Sequence, residues 1–506
     1  MKVQDATLIN NQNITPYKHQ LMNTINHLAL ILVLLCMYTP CMSQAQPADN
    51  TVPKWVKKVG ARHESVENRV YYVNDYGAKG DGIHLNTSAI QDAIDHCAKN
   101  GGGIIAFKPG SYITGSLFIK KNIHFRVDSG VKILGSQKIE DYKEIDTRVA
   151  GVEMKWPAAL INVNGQKNVT IEGNGIIDGR GKPFWDAYWD ARKNVYEPKG
   201  LRWIVDYDIK RPRTILISKS TNISVKELNI QNAGFWTVHI LYSEKVTVDG
   251  ITIKNNISGH GPSTDGIDID SSKWVLIQNA DIDCNDDNFC LKAGRDWDGL
   301  RVNKPTAYVV IKDCIARQGG GLFTIGSETS GGIHHVYVSN IKGQGTKRGL
   351  NIKSALTRGG TVKDIYLENI VMDSVDTFME VSMNWNPSYS YSKLPVGYEK
   401  DSIPKHWKKM LMKVPEKQGI PTFKNITLKN IVVKNAKRAI NVNGLERSYI
   451  QGIHLQNVVI QAQEPGQISY SKNWTLDQVS VRALDGSDII LKESDNINFN
   501  LPQSKK

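Results

Sequence analysis

Apolar residues recur in short bursts along most of this chain, and each burst places two of them at alternate positions. Examples are Ile223 and Val225, Val246 and Val248, Val275 and Ile277, Val309 and Ile311, Val336 and Val338, Ile365 and Leu367, Ile426 and Leu428, and Ile453 and Leu455. Period-two alternation argues for strands with one face turned inward. Most intervals are roughly 23 to 34 residues, with longer gaps after about residue 170 and after about residue 370. Asn279, Asn340, Asn369, Asn430 and Asn457 fall at equivalent turn positions. An amide there bonds its neighbour in the next coil and tolerates left-handed backbone. Period two excludes helical repeats, and the hairpin turns of a propeller are not evident. The pattern predicts an all-β fold, a single-stranded right-handed parallel β-helix, with the long gaps as excursions on its binding face.

One helix precedes the strands. Ala89, Ile90, Ala93, Ile94 and Cys97 share a face after Asn86 and Thr87, which can cap, and Gly101-Gly102-Gly103 stops the helix. It would cover the open end of the first coil. The solenoid is expected over residues 69–490, with a polar leader at 46–68 and a tail at 491–506. Residues 1–45 read as a secretory signal peptide, with an apolar core from Leu28 to Cys36 and Ser43-Gln44-Ala45 as the cleavage site. Met22 is an alternative start, and neither Cys36 nor Cys41 follows the small-residue pair of a lipid-anchor site. An exported protein, periplasmic or extracellular and without an integral membrane segment, is the expectation.

Composition adds a partner class. The net charge of +13 is spread along the chain, which suits an anionic polymer. Zinc spacing, a Gly-rich phosphate loop and a basic-aromatic cluster are not found, which disfavours nucleic acid and leaves acidic polysaccharide. After cleavage, Cys97, Cys284, Cys290 and Cys314 are too few for a disulfide scaffold, although Cys284 and Cys314 sit where adjacent coils could be bridged.

The richest chemistry lies between Ser263 and Gly294. Asp265 and the Asp286-Asp287 pair flank an apolar run, at an interval of about one coil, so the three acids would share one surface about 4.8 Å apart. Crowded carboxylates raise one another's pKa, which lets one stay protonated while another is charged, as glycoside hydrolysis requires. A calcium site built from Asp281, Asp283, Asp286 and Asp287 is the alternative. Gly320 and Lys353 follow at about the same angular position, and a Lys there would hold a substrate carboxylate. The second excursion, around Asn384 to Gln418, is rich in Tyr, Trp, Pro and Lys and is a candidate groove wall.

From Tyr71 to about Asp485 the chain resembles the polygalacturonase family of glycoside hydrolases, family 28, of bacterial secreted type. The resemblance rests on YYVNDYGAKGDG, GFWTVHILYSEKVTVDGI, STDGID, NDDNFCLKAGRDWDG, and GSETSGG followed by RGLNIKS, in that order. It implies a pectin lyase-like solenoid and an inverting hydrolase acting without cofactor or metal on pectic polysaccharide or oligogalacturonides; a monomer is the expectation for a solenoid with capped ends. Asp286 would be the general acid, Asp265 and Asp287 would activate water, and Lys353 would bind a galacturonate carboxylate. Two departures stand out: the family's Gly-His-Gly is Gly319-Gly320-Gly321 here, and its Arg-Ile-Lys opens with Asn351. Arg295, Arg348 and Arg358 are nearby in sequence and are candidates to compensate, while Ser263 replaces the usual Asn. The departures make rhamnogalacturonan an alternative substrate, and the long excursions point to exo action. A lyase on the same scaffold and a non-catalytic pectin-binding protein are the competing readings.

Overall fold

The computed structural model describes residues 52–62 and 68–499. The signal peptide, Met22, Cys36 and Cys41 lie outside the described residues. Nearly all strands join one continuous parallel ladder, each pairing with the equivalent strand of the coils before and after it. One coil shows the plan: Val238–Leu241, Glu244–Asp249 and Thr252–Lys254 pair in register with Ile267–Asp270, Lys273–Gln278 and Asp281–Asp283 of the next. This is the parallel β-helix. Its interior is filled by the alternating residues read from the sequence, among them Ile223, Val246, Val275, Val309, Val336, Ile365, Ile426 and Ile453. Fully burying a side chain of this size contributes about 1.5–3 kcal/mol, so stacked coils stabilise one another side by side.

The face that matters carries seven floor strands: β1 (Ile215–Ser218), β2 (Val238–Leu241), β3 (Ile267–Asp270), β4 (Phe289–Lys292), β5 (Phe323–Ile325), β6 (Arg348–Lys353) and β7 (Thr377–Ser382). Their register stacks His239, Asp268, Cys290, Thr324, Asn351 and Glu380 in one row.

The first coil is closed by helix α1 (Thr87–Lys99), which buries Ile90, Ala93, Ile94 and Cys97. Asn86 makes no side-chain cap; its amide ties the preceding turn by donating to the His84 and Lys79 carbonyls, at 2.8 and 3.1 Å. Part of the leader packs on the solenoid despite its polarity. Residues 54–62 run along the outside of the coils, where Trp55 packs edge-on against Tyr308, and the Ala61 and Arg62 amides donate to Thr247 and Asn222. At the other end Ile490–Lys492 still pairs with the coil before it, so the ladder extends past residue 490.

Both excursions fold back over the floor. Leu201, Trp203, Ile204 and Tyr207 from the first meet Ile403, Trp407 and Met410 from the second around Trp156, Phe235 and Trp236. An antiparallel hairpin, Glu144–Val149 with Val152–Pro157, completes this satellite core, and nothing in the sequence pattern had marked it. Among the described residues no helix is long and apolar enough to cross a membrane. The four cysteines among the described residues are buried and none is in a disulfide, so Cys284 and Cys314 form no bridge; Cys314 Sγ instead accepts the Ala280 amide at 3.4 Å.

The asparagine turns form a ladder of their own. Asn340, Asn369, Asn430 and Asn457 all have φ of 53–55°, and each amide donates to the residue one coil back, Asn430 to Asn369 at 2.9 Å and Asn457 to Asn430 at 2.9 Å. Asn430→Ala should lower stability by about 1–2 kcal/mol, because Ala pays the left-handed penalty and loses the amide, whereas Asn430→Gly loses only the amide. Denaturant midpoints of the two variants test this; Ala as stable as Gly would contradict it.

Candidate active site

Turns leading into β3 and β4 carry the acids. Register stacks the Asp265 and Asp287 backbones one above the other, the Gly266 amide donating to the Asp287 carbonyl at 2.9 Å. One carboxylate oxygen from each of Asp265, Asp286 and Asp287 lies within 4.8 Å of the others. These oxygens are closer together than the roughly 6.5 to 9.5 Å that generally separates acid and base carboxyls in inverting glycosidases.

The environments of neighbouring acids differ. Asp287 is fixed by three contacts: Lys353 Nζ at 2.8 Å, Thr324 Oγ1 at 2.8 Å and the Cys290 thiol at 3.8 Å. Burial pushes its pKa up, but Lys353, Lys292 and the hydrogen bonds outweigh burial and hold it below the usual carboxylate range. Asp286 opens to the cleft and accepts only the Asp287 amide, at 3.0 Å. Burial and the neighbouring Asp287 charge raise its pKa, and the two lysines offset them only in part. Adjacent carboxyls thus favour opposite protonation states. Asp265 is buried, with Oδ1 unbonded, and is pushed well above the usual range by burial and by Asp268 and Asp286. Its surroundings therefore favour the protonated form.

Sequence reasoning missed Lys292 and Glu328. Lys292, on β4, sits 3.5 Å from Glu328, 3.6 Å from Asp268 and 3.9 Å from Asp265, with the Trp236 ring 4.7 Å away. The signal was in the alternation: Ile267, Ile269, Phe289 and Leu291 face the core, which turns Asp268 and Lys292 to the opposite side. Below them His239 accepts from Arg213 at 2.9 Å, and burial lowers its pKa to about 4, leaving it neutral.

The cleft over these groups measures about 290 Å³. Its lining includes Ser263, the three acids, Lys292, Glu328 and Lys353 from the floor, with Arg192, Arg202, Trp385 and Tyr389 from the excursions.

Of the expected substrate ligands, only Lys353 reaches this cleft. Arg295 is fully buried, donating to Tyr207 Oη at 2.7 Å and to the Tyr389 and Ser390 carbonyls at 2.7 and 3.2 Å. Arg358 is equally buried, paired with Asp296 and donating to the Ser327 carbonyl at 3.1 Å. Arg295 ties both excursions to the turn after β4, and Arg358 joins the turns after β4 and β5, so neither meets substrate. Asn351 is buried, its amide 3.4 Å from Thr324 Oγ1, and Arg348 is half-buried near Glu380, away from the cleft. The four-acid calcium cluster is not assembled either: Asp281 pairs with Arg317 at 2.7 Å, and Asp283 accepts from Asn256 at 3.2 Å.

Comparison with known proteins identifies the family and the fold. The profile of the glycosyl hydrolases family 28 matches residues 113–395. The chain belongs to glycoside hydrolase family 28. Among its relatives, a probable polygalacturonase of Vitis vinifera is 29% identical over 397 residues, 76% of this chain and 73% of that one. An exo-poly-alpha-D-galacturonosidase of Dickeya chrysanthemi is 26% identical, over 65% of this chain and 60% of its own length. An endo-polygalacturonase of Pectobacterium carotovorum is 28% identical, over 70% of this chain and 82% of its own length. The fold matches an exopolygalacturonase from Thermotoga maritima, with a TM-score of 0.69 at 23% identity, covering 87% of this chain and 96% of that one. This family 28 member is thus a polygalacturonase-like hydrolase of pectin, and the lyase and non-catalytic readings are set aside.

Lys353 is what splits the two adjacent acids. Replacing it by Met removes the cation that keeps Asp287 ionised, so the Asp287 pKa rises and the acid limb of activity moves to higher pH. The same charge also offsets Asp286, so the alkaline limb moves up with it. A pH–rate profile of Lys353→Met checks this; limbs that stay in place would contradict it.

Proposed function

We propose that the cleft cleaves α-galacturonosyl linkages by inversion, with Asp286 as proton donor and Asp287 as base. The observation that carries this is that Lys353 Nζ and Thr324 Oγ1 both bond Asp287 at 2.8 Å while the adjacent Asp286 carboxyl, free of either, lines the same cleft. Asp286 gives its proton to the glycosidic oxygen as the C1–O bond breaks. Asp287 takes a proton from the water whose oxygen bonds to C1. Asp265, whose surroundings favour a proton, helps to hold that water beside Asp287. Inversion rests on family resemblance, since the short carboxylate spacing gives it no support.

Exo action is the finer reading. Its supports are the excursion residues Arg202, Trp385 and Tyr389 crowding the cleft, and the Dickeya relative's exo designation. Rhamnogalacturonan remains the second reading, favoured at Gly320. A Cβ there would lie 3.2 Å from the Asp286 and Asp287 carboxylates, so the family's His would press on both acids, and Gly320 leaves that space beside them to the sugar.

Digesting defined homogalacturonan and rhamnogalacturonan oligomers side by side separates the substrates. Homogalacturonan is expected to release monomer first, with the inverted anomer in the initial NMR spectrum; initial retention would overturn inversion. Asp286→Asn should cost about 10²-fold or more in turnover. A variant keeping more than about a tenth would overturn the donor assignment.

A further inference from the structure

The floor cations are already committed. Lys353 is spent on Asp287, Lys292 lies among Asp265, Asp268 and Glu328, and the position of the family's Arg holds a buried Asn351. Among the described residues, the floor lysines lining the cleft are therefore both engaged when a galacturonate carboxylate enters. Two guanidiniums face it from the first excursion. Arg202 donates Nη1 to Asp206 at 2.6 Å and lies 5.0 Å from the centre of the Tyr389 ring. Arg192 donates Nε to Glu197 at 2.7 Å and lies 5.2 Å from the Trp189 ring. Glu197 is 4.0 Å from Arg202 as well, so one carboxylate orients both.

Each guanidinium is thus held by one edge and a ring face. An arginine has five N–H donors in a rigid fork, and the acidic partners occupy only part of each fork. The side chains are 26% and 18% exposed, enough to meet a ligand while the cleft walls limit competing water. We propose that Arg192 and Arg202 form the carboxylate receptor of this enzyme, taking over from the excursion the charge recognition its floor has lost. The reading rests on galacturonate being the substrate. Recognition of this kind is directional: fork to carboxylate, it rejects the uncharged galactose of the same shape.

Trigalacturonate binding to Asp286→Asn, measured by calorimetry, tests the receptor without requiring turnover. Arg192→Gln in that background should weaken binding on the order of 10-fold or more, as should Arg202→Gln. Arg192→Lys should restore only part of the loss. Because Arg202 also neutralises Asp206, Arg192→Gln is the variant that leaves the buried Arg211–Asp206 pair intact. In the active enzyme the same substitutions should raise KM for digalacturonate and narrow its preference over the α-1,4-linked digalactoside, while the limbs of the kcat pH profile stay in place. Unchanged affinity and unchanged preference in both Gln variants would overturn the receptor. If the parent enzyme cleaves and binds no galacturonate oligomer, the functional reading itself fails, a result distinct from a galacturonate enzyme indifferent to these arginines.

Discussion

Coil register is the constraint on which everything else in this molecule depends. In-register parallel pairing fixes the distance between equivalent residues of successive coils at one strand spacing, about 4.8 Å. Asp265 and Asp287 are therefore neighbours by backbone geometry, and Asp286 by covalent adjacency. Three acids at that distance, two of them buried and the third in the cleft, cannot all ionise freely. The chain resolves the conflict with two lysines delivered by the same register: Lys292 at the end of β4 and Lys353 at the end of β6. What distinguishes Asp286 from Asp287 is which of them Lys353 and Thr324 reach.

A floor this charged has to be shielded. The antiparallel hairpin and both excursions bury His239, Asp268 and Asp270 completely although these residues point away from the core. Arg148 from the hairpin reaches Asp270 at 2.9 Å, and Arg295 ties Tyr207 of one excursion to Tyr389 of the other. Structural arginines thus assemble the wall, and the wall in turn brings Arg192 and Arg202 to the cleft. Losing cations from the floor and gaining them from the wall are two sides of one rearrangement.

The repeating part of this molecule was legible in the sequence because a solenoid writes its contacts at a fixed period. Alternating aliphatics marked the core, left-handed asparagines marked the turns, and one interval brought Asp265 to Asp286 and Asp287. Lys353 followed from the same count. Where the chain leaves the period, that reading fails. Arg295 and Arg358 are close to the acids in sequence, yet both turn into buried joints, because proximity does not say which way a turn residue points. Asn351 shares the outward parity of Lys353 but lies under Thr324. Arg192 and Arg202 come from an irregular excursion, where only tertiary packing decides what faces the substrate.

The central claim is that Lys353 and burial drive two adjacent carboxyls to opposite protonation states in the resting enzyme. Carbon-13 labelling of aspartate side chains, with Asp286→Asn and Asp287→Asn for assignment, follows each carboxyl directly by NMR as pH is varied. The account predicts that Asp287 titrates below the ordinary carboxylate range and Asp286 above it. Both titrating together within that range would contradict it.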